Sequence, residues 1–106
     1  MKFEDYLIDI RKPNKPNLGW DIEGIIKDRT NQPFKFDLKP IKKIKGILGK
    51  EGDFNKKADK MVFEYSDKYI VLDVEELISY VKKNKLKIVQ MKELLEKLEW
   101  NIIINK

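Results

Sequence analysis

Apolar and polar positions alternate with a period of two in two neighbouring stretches of this chain, and recur with a helical period in several others. In 34–39, Phe34, Phe36 and Leu38 fall on one side of an extended strand, and Lys35, Asp37 and Lys39 on the other. In 20–27, Ile22, Gly24 and Ile26 share a face opposite Asp21, Glu23 and Ile25. With 28–33 as a polar turn, the two stretches predict a β-hairpin. Burying both apolar sets together requires even-numbered residues opposite even-numbered ones, because a one-residue slip turns half of them into water. One register that meets this condition pairs Ile26 with Phe34, Gly24 with Phe36 and Ile22 with Leu38. It places Asp21 opposite Lys39 and Glu23 opposite Asp37, with opposed Cβ atoms about 5 Å apart. Hydrophobic patterning alone therefore gathers several charged groups on one small surface.

The remaining pattern predicts further elements. Phe3, Tyr6, Leu7 and Ile10 stand at i, i+3, i+4 and i+7, which predicts an amphipathic helix over 2–11. Pro13 and Pro16 make 12–19 a stiff polar connection. Ile41, Ile44, Ile47 and Leu48 predict a helix over 41–50, entered at Pro40 and left at Gly49. Residues 60–65 and 69–72 read as strands. Asp73 followed by Glu76 is a capping-box-like start to a helix at 74–84 that buries Leu77, Ile78 and Val81. A second helix covers about 90–98 with Met91, Leu94, Leu95 and Leu98 inward. Ile102, Ile103 and Ile104 predict a final buried strand, and 86–89 are either strand or helix start. The order α-β-β-α-β-β-α-α-β predicts one small α+β domain over 1–106, a hairpin and mixed or antiparallel sheet flanked by helices.

Composition narrows the chemistry. The 106 residues contain no Cys and no His, which excludes disulfides, thiolate and imidazole metal ligands and histidine bases. Catalysis must then use carboxylates, Lys, Tyr, Ser or Thr, with an oxygen-ligated hard cation such as Mg²⁺. There is neither a long apolar run nor a leader-like N-terminus, so the expectation is a cytoplasmic protein with no membrane partner. The net charge of +5 favours polyanionic partners such as nucleic acid. It arises from 21 Lys and only Arg11 and Arg29, which argues against bidentate base reading; it is also the balance an AT-rich genome produces. Lys35, Lys42, Lys43 and Lys45, beside Lys39, form a basic cluster suited to a phosphate backbone or to a solvated helix face. Trp20, Tyr65 and Tyr69 are candidates for base stacking or for the core.

Carboxylates crowded on the polar face of the hairpin repel one another and are relieved by a divalent cation. Such a cation polarises a phosphoryl oxygen and lowers the pKa of a bound water, and a neighbouring Lys stabilises developing negative charge. Asp37-Leu38-Lys39 is the one acid-x-Lys triplet in the chain. An acidic residue, a hairpin, then Asp-x-Lys on the next strand resembles the PD-(D/E)xK, or restriction-endonuclease-like, nuclease superfamily. The resemblance covers residues 2–66. It implies Asp21, Asp37 and Lys39 as catalytic residues, with Asp21, Asp37 and Glu4 as Mg²⁺ ligands. Asp28 competes with Asp21 for the first acidic position. The step Ala58-Asp59 before the apolar stretch Met61-Val62-Phe63 also resembles a later core strand of such enzymes.

Two readings follow. One is a small Mg²⁺-dependent nuclease, or nuclease-like nucleic-acid-binding protein, of a mobile element, phage or toxin system, working as a homodimer on two-stranded substrates. The other is a non-catalytic protein-interaction module, such as a phage accessory, inhibitor or immunity protein.

Overall fold

The structure, a computed structural model, describes residues 2–16, 18–40, 47–48, 57–85 and 89–106. A 3₁₀ turn at Phe3–Tyr6 leads into β1 (Leu7–Arg11), followed by β2 (Ile22–Ile26) and β3 (Phe34–Pro40). After the short β4 (Ile47–Leu48) come β5 (Lys60–Glu64), β6 (Lys68–Asp73) and the helix α1 (Val74–Lys83). The chain ends with β7 (Val89–Gln90), α2 (Met91–Lys97) and β8 (Asn101–Asn105). Six strands form one sheet in the order β1-β2-β3-β5-β6-β8, and β4 pairs with β7 apart from it. β3 and β5 run parallel and the other neighbours antiparallel, so this is an α+β fold on a mixed sheet.

Alternation sends the side chains of β5 and β6 to two separate cores. On one face Met61, Phe63, Ile70 and Leu72 pack under Leu77, Ile78 and Val81 of α1 and Leu94 of α2. Full burial of Leu77 and Leu94 contributes about 2–3 kcal/mol each in area removed from water. On the other face Phe3, Leu7, Ile22, Ile26, Phe36 and Val62 surround Tyr69. The sheet curls around this second core, and an Arg29 guanidinium nitrogen from the β2–β3 turn comes 3.5 Å from the Ile103 carbonyl of β8. Gly24 lets β1 close on β2, since a Cβ there would stand 3.2 Å from the Ile8 carbonyl oxygen and the Leu7 side chain.

Three expectations change. Residues 2–11 are not an α-helix. Phe3 and Leu7 do reach one core, but from a 3₁₀ turn and a strand, and Ile10 is 42% exposed. Asp9 adopts φ 53°, and the ladder slips between Ile8 and Arg11, so a bulge turns the strand where a helix would have continued.

The helix expected over 41–50 lies mostly outside the described residues, and within it Ile47–Leu48 is strand, paired with Val89–Gln90.

The hairpin register is also shifted by two residues from the one proposed. Ile22 faces Phe36, Glu23 faces Lys35 and Gly24 faces Phe34. The cause is local. The Ile26 N–H donates to Thr30 Oγ1 at 3.0 Å, while the Arg29 and Thr30 N–H groups both donate to the Ile26 carbonyl at 3.1 Å. The turn takes up both backbone groups of Ile26, so the ladder to β3 cannot include it and closes at Gly24. Parity is preserved, and the apolar faces stay together.

Candidate functional site

The shifted register brings the two aspartates together. The Asp21 N–H donates at 2.8 Å to the carbonyl of Phe36, the residue Ile22 faces, so Asp21 stands just past the last ladder pair and its carboxylate comes within reach of Asp37. Asp21 Oδ2 accepts the Leu38 N–H at 2.8 Å, so its carboxylate is fixed against the backbone of β3. Lys39, two residues along the same face of β3 as Asp37, places its Nζ 3.5 Å from Asp37 Oδ2. Asp37 therefore has Lys39 and Asp21 as neighbours, but not through the expected register, in which Asp21 stood opposite Lys39 and Glu23 opposite Asp37.

Asp37 is unusual among the carboxylates. It is only 8% exposed, and its Oδ2 is buried without a hydrogen-bond partner. The Lys39 ammonium is near that oxygen but lacks hydrogen-bond geometry to it. Burial pushes the Asp37 carboxyl above its ordinary value; Lys39 draws it back down, and the Asp21 carboxylate pushes it up again. A desolvated carboxylate facing a second one is an arrangement a cation relieves.

The residues present fit a hard divalent ion in a two-carboxylate mode. Magnesium is commonly held by one or two carboxylates, with water and substrate oxygens completing its shell. The Oδ2 of Asp37, buried without a hydrogen bond and 3.5 Å from the Lys39 ammonium, is the donor such an ion would use. Among the described residues no group of three or more Asp or Glu is arranged to hold a metal.

Glu4 stands elsewhere. It sits on the 3₁₀ turn, pairs with Lys12 at 3.3 Å, and meets Asp21 only as a fellow lining residue of a cavity. Glu23 faces Lys35 rather than Asp37. Lys35 lays its ammonium over the Trp20 ring, 5.3 Å from the centroid. Asp28 lies in the β2–β3 turn with φ 61°, beyond Ile26 and so at the far end of the hairpin from Asp37. Lys42, Lys43 and Lys45 are outside the described residues. Tyr69 is buried in the core, with its hydroxyl 3.3 Å from Glu64 Oε2.

Asp59 has a positional role that the Ala58-Asp59 step signals in the sequence. Its Oδ2 accepts the Lys35 N–H at 2.9 Å, and its own N–H donates to the Lys35 carbonyl at 2.8 Å. This clamp fixes the start of β3 against the entry to β5. Glu64, Lys2 and Lys12, which ring the cavity beside Asp21, carry no such signal, because they come from elements far apart in sequence.

No helix among the described residues is long and apolar enough to cross a membrane. Compared with known protein families, curated proteins and solved structures, the chain matches none.

Proposed function

We propose that this protein is a small divalent-cation-dependent phosphodiesterase acting on nucleic acid, with Asp21 and Asp37 as cation ligands and Lys39 as their cationic partner. The observation that carries this reading is the buried Oδ2 of Asp37, which has the Lys39 ammonium at 3.5 Å but no hydrogen bond, with the Asp21 carboxylate close by. When bound, a Mg²⁺ ion would supply a polarised phosphoryl oxygen and a water of lowered pKa.

The residues have separate tasks. Asp21, held by the Leu38 N–H, keeps its carboxylate fixed in the absence of ligand, so little ordering is left for substrate binding. Asp37 supplies negative charge in a desolvated setting, where its interaction with a cation is stronger than in water. Lys39, with its side chain one-third exposed, orients the attacking water and stabilises charge developing on the phosphoryl oxygens. In the reaction, the water oxygen bonds to phosphorus, the P–O bond to the leaving sugar oxygen breaks, and that oxygen takes up a proton. A net charge of +5 draws the polyanion in.

A second reading is a protein-interaction module, favoured by the edge strand β1, on which Ile8 is 45% and Ile10 42% exposed. An exposed edge with apolar side chains pairs readily with a strand of another chain.

The discriminating experiment is incubation of single- and double-stranded DNA and RNA with wild type and Asp37→Ala, in Mg²⁺ and in EDTA. Cleavage that needs Mg²⁺ and is lost in the variant supports the phosphodiesterase. No cleavage of any substrate rejects it in favour of the interaction module.

A further inference from the structure

Beside the acid pair lies a cavity of about 350 Å³, within the size range of small-ligand pockets. Its floor is apolar: Phe3, Ile22 and Val62 are each no more than 4% exposed, so they are fixed by the core. Leu38 also lines it and is 37% exposed, an apolar side chain that a bound group would cover. Asp21 and Leu38 belong to both places. The Asp21 carboxylate lies near that of Asp37 and lines the cavity; the Leu38 N–H holds Asp21 while the Leu38 side chain lines the cavity. Leu38 and Asp37 point to opposite sides of β3, so cavity and acid pair are joined around the strand through Asp21.

The rim sets the chemistry of the occupant. Glu4, Asp21 and Glu64 line it with carboxylates, which when ionised only accept hydrogen bonds. Like Asp21, which the Leu38 N–H holds, the two glutamates are already oriented. Glu4 Oε2 is 3.3 Å from Lys12, and Glu64 Oε2 is 3.1 Å from Lys106 and 3.3 Å from the Tyr69 hydroxyl. Each of these contacts uses Oε2, and an ionised carboxylate has acceptor capacity on both oxygens. Lys2 and Lys12 add positive charge at the mouth. A flat, largely apolar group that donates through N–H, attached to an anionic phosphate, fits such a rim. Glutamate and aspartate accept from the exocyclic amine of cytosine in this way.

We propose that this cavity receives a single nucleobase bearing an exocyclic amine, from a single-stranded or locally unpaired nucleic acid whose adjoining phosphate lies at Asp21 and Asp37. The inference rests on the phosphodiesterase reading for its substrate class. Its consequence is a preference for unpaired strands, because a base within a duplex cannot enter a cavity of this size without leaving its stack.

The test separates the two claims by omitting the metal. Wild type and Leu38→Trp, which fills the cavity from an exposed position, are titrated in EDTA by calorimetry with cytidine, adenosine, guanosine and uridine, which carry no phosphate to be repelled by the acid pair. Methyl chemical shifts of Ile22, Val62 and Leu38 are followed in parallel for wild type. The expected result is saturable binding of cytidine, adenosine and guanosine, about tenfold weaker for uridine, which lacks the amine. Shifts should centre on those methyls, and Leu38→Trp should bind at least about tenfold more weakly than wild type. Absence of saturable binding, or binding that leaves the Ile22 and Val62 methyls unmoved, overturns the proposal even if metal-dependent cleavage is found. Binding as expected without any cleavage upholds the base pocket and removes the phosphodiesterase.

Discussion

Lys60 Nζ lies 2.6 Å from Asp73 Oδ1, with the rings of Trp100 and Phe34 over it at 3.9 and 4.4 Å to their centroids. The pair belongs to a closed circuit. Asp73 Oδ2 accepts the Glu76 N–H at 3.0 Å and so caps α1. The Glu76 carboxylate does not turn back to the cap but accepts the Glu99 and Trp100 N–H groups, at 3.1 and 3.0 Å. Trp100 then returns its ring to Lys60. These five contacts tie β5, β6, α1 and the entry to β8. Lys60 is 6% exposed, so removing its partner leaves a buried charge uncompensated. Asp73→Ala is expected to cost about 3–5 kcal/mol, including the lost cap. Urea unfolding followed by tryptophan fluorescence checks this, and Lys60→Met, which removes the charge, should cost less.

Asp37 makes the acid site a liability for stability. Its folded-state pKa is raised by burial, so the folded chain holds the proton more tightly than the unfolded one does. Its contribution is therefore most favourable below the ordinary value of 3.8 and is lost as pH rises through the raised value. Asp37→Asn should be more stable than wild type at pH 7, with the gap closing as pH falls toward 3.8. Urea midpoints across that range measure it. A variant less stable than wild type at pH 7 would contradict the account.

Tyr69 offers a spectroscopic check on the second core. Burial first, and then the Glu64 carboxylate beside its hydroxyl, push its pKa from 10 up to about 12. The stability tied to its neutral form is intact below pH 10 and is lost as pH passes through about 12. Ultraviolet titration should show one tyrosine ionising near pH 12, and Glu64→Gln should bring that ionisation to lower pH.

The end of α1 carries a removable strain. Lys85 adopts φ 53° just past the helix, the position where glycine usually ends one. Its N–H donates to the Lys82 carbonyl at 3.2 Å, so the conformation is used and not incidental. Lys85→Gly should raise stability by about 1 kcal/mol, read as a higher melting temperature.

Much of this fold is visible in the chain, and the failures have physical causes. The strands around Val62 and Ile70, the Asp73 cap and the stripe Leu77, Ile78 and Val81 follow from period and capping alone. The hairpin faces follow from parity. The register does not, because any shift of two satisfies parity, and the choice was made by the Thr30 hydroxyl within the turn. The segment from Phe3 to Ile10 has a helix-like spacing, yet the positive φ of Asp9 lies in backbone geometry that spacing does not report. The meeting of Asp21, Asp37 and Lys39 was legible as convergence on one face. The burial of Asp37 was not, since it depends on packing from elsewhere in the chain.

In the proposed reading Asp21 and Asp37 form one cation site. Titration of ¹⁵N-labelled protein with Mn²⁺ tests it most directly, because the ion broadens amide resonances near its binding place. The account predicts broadening that begins at Asp21, Asp37, Leu38 and Lys39, is relieved by excess Mg²⁺, and is absent from those amides in Asp37→Asn. Broadening that starts at other carboxylates, or that persists at Leu38 and Lys39 in Asp37→Asn, would contradict it.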